Sequence, residues 1–192
     1  MFESDLTPTE TKVLLDIVTT MDAPKNHYVE IGVFMGGTFS RVLQKTKHIQ
    51  CVGVDLFEDF VLDKKSNTHE NETLKMADLD AALSKTTNRH KLHKSDSVDY
   101  FNNLPRNSIA GVIFIDGNHK FYGCMLDFVG AYRVLEKGYI LFHNASNKAM
   151  CPDNHYVDED GGPYAVVQAA LKFPGVKYIG TFDRTAVLEI NH

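Results

Sequence analysis

The stretch Val29-Glu30-Ile31-Gly32-Val33-Phe34-Met35-Gly36-Gly37-Thr38 limits the folds open to this chain more than any other. An apolar run ends in an acid, a glycine-bearing turn follows, and residues 39–44 read as helix. The pattern is E-x-G-x-x-x-G, and Asp55 closes the next apolar run, Cys51-Val52-Gly53-Val54, nineteen residues after Gly36. Glycine takes positive φ at no steric cost and lets backbone come close to a ligand. An acid at the end of the neighbouring strand can accept hydrogen bonds from both hydroxyls of a ribose. Together these features predict an adenosine-containing ligand at the carboxyl edge of a parallel sheet. The plainer reading is a tight strand-to-helix turn with Asp55 as a strand-end cap.

The glycine spacing selects among such ligands. A dinucleotide fingerprint, G-x-G-x-x-G, needs glycine where this chain has Phe34, whose ring would obstruct a pyrophosphate pressed against the turn. The chain contains no G-x-x-x-x-G-K-[ST], so a phosphate-cradling loop of that type is absent. Glu30 adds an anion where phosphates would sit, and the same acid suits an ammonium or sulfonium group. S-adenosylmethionine carries adenosine, a sulfonium and an amino acid, and no phosphate.

The rest of the chain alternates strand and helix. Thr7-Pro8-Thr9-Glu10 is a helix start with a capping box, followed by an apolar stripe of Val13, Leu14, Ile17, Val18 and Met21 that ends near Pro24. Strands are predicted at 27–31, 50–55, 91–94, 111–116 and 138–142. Helices are predicted at 38–45, 74–86, 98–104, 121–135 and 163–172. Residues 57–73 read as a long polar loop, with a lid as one reading, and 144–162 as a second irregular stretch. The runs 177–182 and 186–190 form a hairpin around Asp183-Arg184. Alternation of this kind means parallel βαβ units, and the continuous apolar runs at 111–115 and 138–142 suit strands covered on both faces. The expected architecture is α/β: a doubly wound, mostly parallel seven-stranded sheet with an antiparallel C-terminal hairpin, in one domain over residues 1–192. Ligands of such sheets bind beyond the carboxyl ends of the strands, where Glu30, Asp55, Asp96, Asp116 and His143 fall.

A second cluster lies at the ends of the fourth and fifth strands, Phe114-Ile115-Asp116-Gly117-Asn118-His119 and Phe142-His143-Asn144. Adjacent strands lie about 4.8 Å apart, so these ends can converge on one small ion or substrate. Asp116 and Asn144 offer hard oxygen ligands suited to Mg²⁺ or Ca²⁺. His119 is a candidate general base, since an unperturbed imidazole titrates near pH 6.5. The competing structural readings are a helix cap for Asp116 and a surface loop histidine for His119.

Glu30-Ile31-Gly32…Gly36, Asp55, Ser95-Asp96-Ser97 and Asp116-Gly117-x-His119 resemble, in order and spacing, the motifs of class I S-adenosylmethionine-dependent methyltransferases. The stretch 114–144 resembles the small-molecule and sugar O-methyltransferase branch, with its I-D-G-x-H-x-Y…D…L-x-x-G-G-x-I-x-x-H-D pattern, and the similarity covers roughly 28–144. The resemblance implies a Rossmann-like methyltransferase fold and S-adenosyl-L-methionine as cofactor. Glu30, Gly32 and Gly36 would shape the pocket for its methionine part. Asp55 would hold the ribose hydroxyls, Leu56 or Phe57 would pack on the adenine, and Asp96 would bind the adenine amino group with Ser97 beside it. Asp116, with His143 or Asn144, would bind a divalent metal, Mg²⁺ first among candidates, that chelates a substrate diol. His119 matches the base of metal-dependent relatives such as catechol and macrolide sugar O-methyltransferases. Asp127 fits the family's later acid or, equally, an ordinary helix-face residue. Three departures stand out: Phe121 replaces a tyrosine, Glu136-Lys137-Gly138-Tyr139 keeps one glycine of a pair, and Asn144 replaces an aspartate.

Charge and composition exclude other classes. A chain of 192 residues with net charge −5 has no global basic footprint, so no nucleic-acid partner is expected. Lys91, His93 and Lys94 read as a solvated face. No apolar run approaches the roughly 20 residues that span a bilayer, and Met1-Phe2-Glu3-Ser4-Asp5 lacks the pattern of a secretory signal. Cys51, Cys124 and Cys151 are odd in number and widely spaced, which suits neither a disulfide framework nor a metal knuckle and points to a reducing cytosol. Residues 1–6, 58–73 and 145–162 are the expected sources of substrate recognition. Within the last, Asp153, His155, Asp158 and Asp160 fit a solvated acidic loop better than a metal loop. The expected activity is O-methylation of a hydroxylated small molecule or sugar, with homodimerisation through the long loops left open. The competing readings are the same fold without methylation, as a metal-dependent hydroxylase-like or binding-only protein, and a nicotinamide-dependent oxidoreductase.

Overall fold

The Thr7 side chain accepts a hydrogen bond from the Glu10 amide at 3.2 Å, and Glu10 Oε2 accepts one from the Thr7 amide at 2.8 Å. This is the expected capping box, with Pro8 in the first turn of α1 (Pro8–Thr20). The computed structural model describes residues 4–57, 75–87, 89–147 and 161–192. The elements after α1 are β1 (His27–Ile31), α2 (Gly37–Lys45), β2 (Gln50–Asp55), α3 (Met76–Ser84) and β3 (His90–Lys94). There follow α4 (Ser97–Asn102), β4 (Ile109–Ile115), α5 (Phe121–Val134), β5 (Leu135–Phe142), α6 (Gly162–Ala170), β6 (Val176–Phe182) and β7 (Thr185–Asn191). The candidate lid at 58–73 and the acidic loop with Asp153, His155, Asp158 and Asp160 lie outside the described residues.

The seven strands run in the order β3-β2-β1-β4-β5-β7-β6. Strands β1 to β5 are mutually parallel, and β7 lies antiparallel between β5 and β6. Side-chain alternation divides the core into two layers. On one face Tyr28, Val112, Phe114 and Leu141 meet Leu14 and Val18 of α1, Phe39, Val42 and Leu43 of α2, and Leu79 of α3. On the other, Val29, Ile31, Ile113 and Ile115 meet Phe101 of α4, Cys124, Phe128 and Ala131 of α5, and Val166 and Val167 of α6. The chain order reverses beside β1, where β2 lies on one side and β4 on the other, and that crevice is where such sheets bind ligands.

Several boundaries differ by one to three residues from the sequence reading, and two of the shifts have a direct physical reason. Strand β5 begins at Leu135 rather than 138, because Leu135 and Lys137 pair with Ile109 and Ala110 across a register shift, and α5 hands over to it directly. Helix α4 begins at Ser97 rather than 98, because Asp96 Oδ1 accepts the Val98 amide hydrogen at 2.8 Å and caps it.

Phe128 is fully buried and packs edge-on against Phe173 at a centroid distance of 5.1 Å, with Phe142 at 6.0 Å. Phe128→Ala should lower unfolding free energy by about 3–5 kcal/mol. Urea denaturation checks this, and a loss under about 1 kcal/mol would mean that the α5–α6 layer repacks freely.

Candidate active site

Backbone hydrogen bonds continue past the ends of the parallel strands and line up five chain turns. The Ser95 amide donates to Asp55 O at 3.0 Å, Gly32 to Val54 O at 2.9 Å, Asp116 to Ile31 O at 2.8 Å, and His143 to Ile115 O at 3.0 Å. The ends of β3, β2, β1, β4 and β5 therefore deliver Asp96, Asp55, Gly32, Asp116 and His143 along one edge.

Gly32 has φ +84°, and a Cβ placed on it would sit 2.3 Å from the Asp116 carbonyl oxygen. Gly36 caps α2 at φ +77°, and a Cβ there would sit 2.6 Å from Leu79 Cδ1. The first glycine lets the turn after β1 lie against the end of β4, and the second lets it lie against α3. Asp55 braces this turn. Its Oδ2 accepts from the Val33 and Phe34 amides at 2.7 and 2.8 Å, and its Oδ1 from the Phe57 amide at 2.7 Å. With two lone pairs per oxygen, one acceptor position remains on Oδ1. Leu56 is 39% exposed while Phe57 is 4% exposed and packs in the core, so of the two only Leu56 presents a free apolar surface.

Glu30 is buried and accepts a hydrogen bond from the Tyr28 hydroxyl, its neighbour on the same face of β1. Burial raises its pKa well above the carboxylate range, the Asp116 and Asp55 charges push the same way, and the Tyr28 hydroxyl only partly offsets them. Its environment thus disfavours the charged form, whereas the sequence reading treats Glu30 as an anion.

Four side chains converge at the ends of β4 and β5. Asp116 Oδ1 lies 2.8 Å from His143 Nδ1 and 3.2 Å from His119 Nε2. The Asn144 amide nitrogen lies 3.2 Å from His143 Nδ1 and 3.4 Å from His119 Nε2. Asn144 holds φ +53°, and the Ala145 amide after it donates to Arg184 O at 2.7 Å, in the β6–β7 turn. Among the described residues, Asp116, His119 and His143 offer ligand atoms all within 4.8 Å of one another. Burial opposes ionisation of Asp116, but His143 and His119 outweigh it and hold its pKa at about 2.

Glu10 joins the site from α1, and the sequence reading missed it because its capping box already explained it. Its Oε1 lies 3.8 Å from His143 Nε2 and accepts from the Arg184 amide at 2.9 Å and the Thr185 hydroxyl at 3.3 Å. Burial works against its charge, yet His143, the Thr7 amide and Arg184 hold its pKa at about 2. His143, 1% exposed, loses charge stability by burial, but Asp116 and Glu10 on either side raise its pKa to about 9.

At the far end of the edge, Asp96 is exposed and Ser97 donates its hydroxyl hydrogen to Asp127 Oδ1. Asp127 lies beneath the turn after Asp116, its Oδ2 3.6 Å from the position a Cβ on Gly117 would take. It binds a side chain of α4 rather than neighbouring backbone. A groove of about 450 Å³, lined in part by Asn26, Lys137, Tyr139 and Glu189, opens at the opposite edge of the sheet, away from these groups.

A methyltransferase-domain family matches residues 29–145. An uncharacterized protein of Acanthamoeba polyphaga mimivirus is 28% identical over 153 residues, covering 73% of this chain and 61% of that protein. The chain thus spans about three fifths of the length of the curated relative it matches. A putative O-methyltransferase from Klebsiella pneumoniae shares the fold with a TM-score of 0.68 at 13% identity, covering 100% of this chain and 84% of that one. An O-methyltransferase from Bacillus cereus, determined in complex with S-adenosylhomocysteine, does so with a TM-score of 0.65 at 17% identity, covering 97% and 83%. No helix among the described residues is long and apolar enough to cross a membrane.

Burial raises the Asp127 pKa to about 7, with Asp96 adding to the effect and the Ser97 hydroxyl opposing it. An unfolded aspartate titrates near 3.9, so between about pH 4 and 7 the folded state binds more protons and stability falls as pH rises. Asp127→Asn removes that component and keeps an acceptor for Ser97. Its stability relative to wild type should therefore rise between about pH 5 and about pH 8 in urea titrations. An unchanged difference would mean that Asp127 titrates as an exposed acid does.

Proposed function

The chain belongs to the methyltransferase-domain family, and on that premise we propose that it methylates a hydroxyl of a small polar molecule or sugar, using S-adenosylmethionine. The observation that carries this reading is that the matched residues, 29–145, contain the whole carboxyl edge from Glu30 to Asn144. The S-adenosylhomocysteine bound by the Bacillus cereus enzyme of the same fold supports the choice of cofactor. The buried free thiols Cys51 and Cys124 suit a reducing, cytosolic setting.

The cofactor supplies a methyl group on a sulfonium, already an activated leaving group. The Gly32–Gly36 turn, with Glu30 beneath it, receives the methionine part. Asp55 Oδ1 keeps one acceptor position for a ribose hydroxyl, Leu56 offers its exposed face to the adenine, and Asp96 and Ser97 border it. Phe57 is withdrawn from that list because its ring is in the core. Asp116, His143 and Asn144 are the residues that would hold a divalent ion, and the chemistry of such an ion there is to acidify a bound hydroxyl. His119, 3.2 Å from Asp116, accepts the proton of the acceptor hydroxyl. Holding donor and acceptor in line contributes most, about 7–11 kcal/mol in favourable cases.

Calorimetric titration should give saturable binding of S-adenosylmethionine and S-adenosylhomocysteine, and none of NAD. Asp55→Ala should weaken that binding at least about tenfold, because it removes an acceptor and loosens the turn it braces. Folded protein that binds neither sulfur compound would end the methyltransferase reading. His119→Ala should lower turnover of a hydroxylated acceptor by about 10²–10⁴-fold with cofactor affinity unchanged. Turnover close to wild type would remove His119 from the chemistry.

A further inference from the structure

The side chain of His143 is placed like a metal-bound imidazole rather than like a packing residue. Its ring is 1% exposed, with Nδ1 2.8 Å from Asp116 Oδ1 and 3.2 Å from the Asn144 amide nitrogen. Two ligands at right angles about an ion, each about 2.1 Å from it, lie about 3.0 Å apart. The two distances from His143 Nδ1 lie close to that value, and half a turn of the Asn144 amide exchanges its nitrogen for an oxygen ligand. The other ring nitrogen, Nε2, has no hydrogen-bond partner among the described residues, and the Glu10 carboxylate faces it at 3.8 Å. An imidazole whose far N–H is directed at a carboxylate presents the lone pair of its near nitrogen to a metal, and that outer carboxylate fixes tautomer and ring orientation. Glu10 itself is held by the Arg184 amide and the Thr185 hydroxyl, so the arrangement is braced from the β6–β7 turn.

The donor set decides which ion. Mg²⁺ demands oxygen ligands and keeps its waters, whereas imidazole suits first-row transition ions. We propose that Asp116, His143 and Asn144 bind a divalent first-row transition ion of the Co²⁺ and Zn²⁺ class in preference to Mg²⁺. The proposal rests on the metal-holding part of the proposed function and gives that ion its chemical class. The opposing structural account is a metal-free ion pair, with His143 charged between Asp116 and Glu10.

The test is Co²⁺ titration of the untagged, full-length protein, followed by visible absorption and calorimetry, without cofactor or acceptor. About one Co²⁺ per chain should bind with d–d absorption bands, and a roughly thousand-fold excess of Mg²⁺ should leave the bands in place. His143→Ala should weaken Co²⁺ binding by at least about 10–100-fold, and His143→Asp should shift the preference toward Mg²⁺. His143→Asn replaces His143→Ala if circular dichroism shows the alanine variant unfolded. Folded wild type that binds no Co²⁺, bands unchanged in the His143 variants, or displacement by equimolar Mg²⁺ would each overturn the proposal. Titration of the same preparation with S-adenosylhomocysteine keeps the two readings apart. Cofactor binding without Co²⁺ binding sinks only the metal assignment, and the reverse sinks only the cofactor.

Discussion

At the turn after β1 the backbone passes so close to the end of β4 that a single methyl group on Gly32 would sit 2.3 Å from the Asp116 carbonyl oxygen. Strand pairing sets that approach. β1 and β4 are in register from His27 and Gly111 to Ile31 and Ile115, and the Asp116 amide then donates to Ile31 O. The same ladder carries His143 to Ile115 O, so the positions of Asp116 and His143 are set by backbone pairing, and His119 is held three residues past β4 by its contact with Asp116. Groups on strand ends are held more precisely than groups on loops, which is what in-line transfer requires.

The electrostatics of the site follow from burial. Asp116, His143 and Glu10 form a line of acid, imidazole and acid, and the chain takes them from three distant elements: the end of β4, the end of β5 and the first turn of α1. Buried charges are tolerated when paired and hydrogen-bonded, and removing one partner leaves the others uncompensated. Glu30, a short way along the edge, has the opposite fate. It has a hydroxyl for a partner rather than a cation, and burial, with the carboxylates of Asp116 and Asp55 nearby, pushes its pKa up. Two acids at one sheet edge thus shift in opposite directions, decided by what faces them.

Much of the fold was legible in residue order. The alternation of apolar runs with helical stripes located all seven strands, and the capping box located the start of α1. The spacing around Phe34 pointed away from dinucleotides, and the resemblance of the ordered motifs pointed to the methyltransferase family that residues 29–145 match. Among the boundaries that moved, β5 and α4 did so because cross-strand pairing and an aspartate cap extended them past Gly138 and Val98, where the sequence reading starts them. At the site, Asp116, His119, His143 and Asn144 were named from their positions at strand ends and do come together. Glu10 and the choice between Leu56 and Phe57 were not legible, since neither capping chemistry nor hydrophobicity says which side chain meets a residue far away in the chain.

The sequence by itself determined the class of fold and the edge at which chemistry gathers, because periodicity, glycine placement and strand-end acids are local properties with direct backbone consequences. Tertiary structure alone decided the charge states and the partners. Which way the pKa of Glu30 moves, whether Asp127 titrates near neutrality, and whether His143 faces one carboxylate or two depend on burial and on contacts across the sheet. Those quantities vary with distance in space, and the amino-acid order carries no direct record of it.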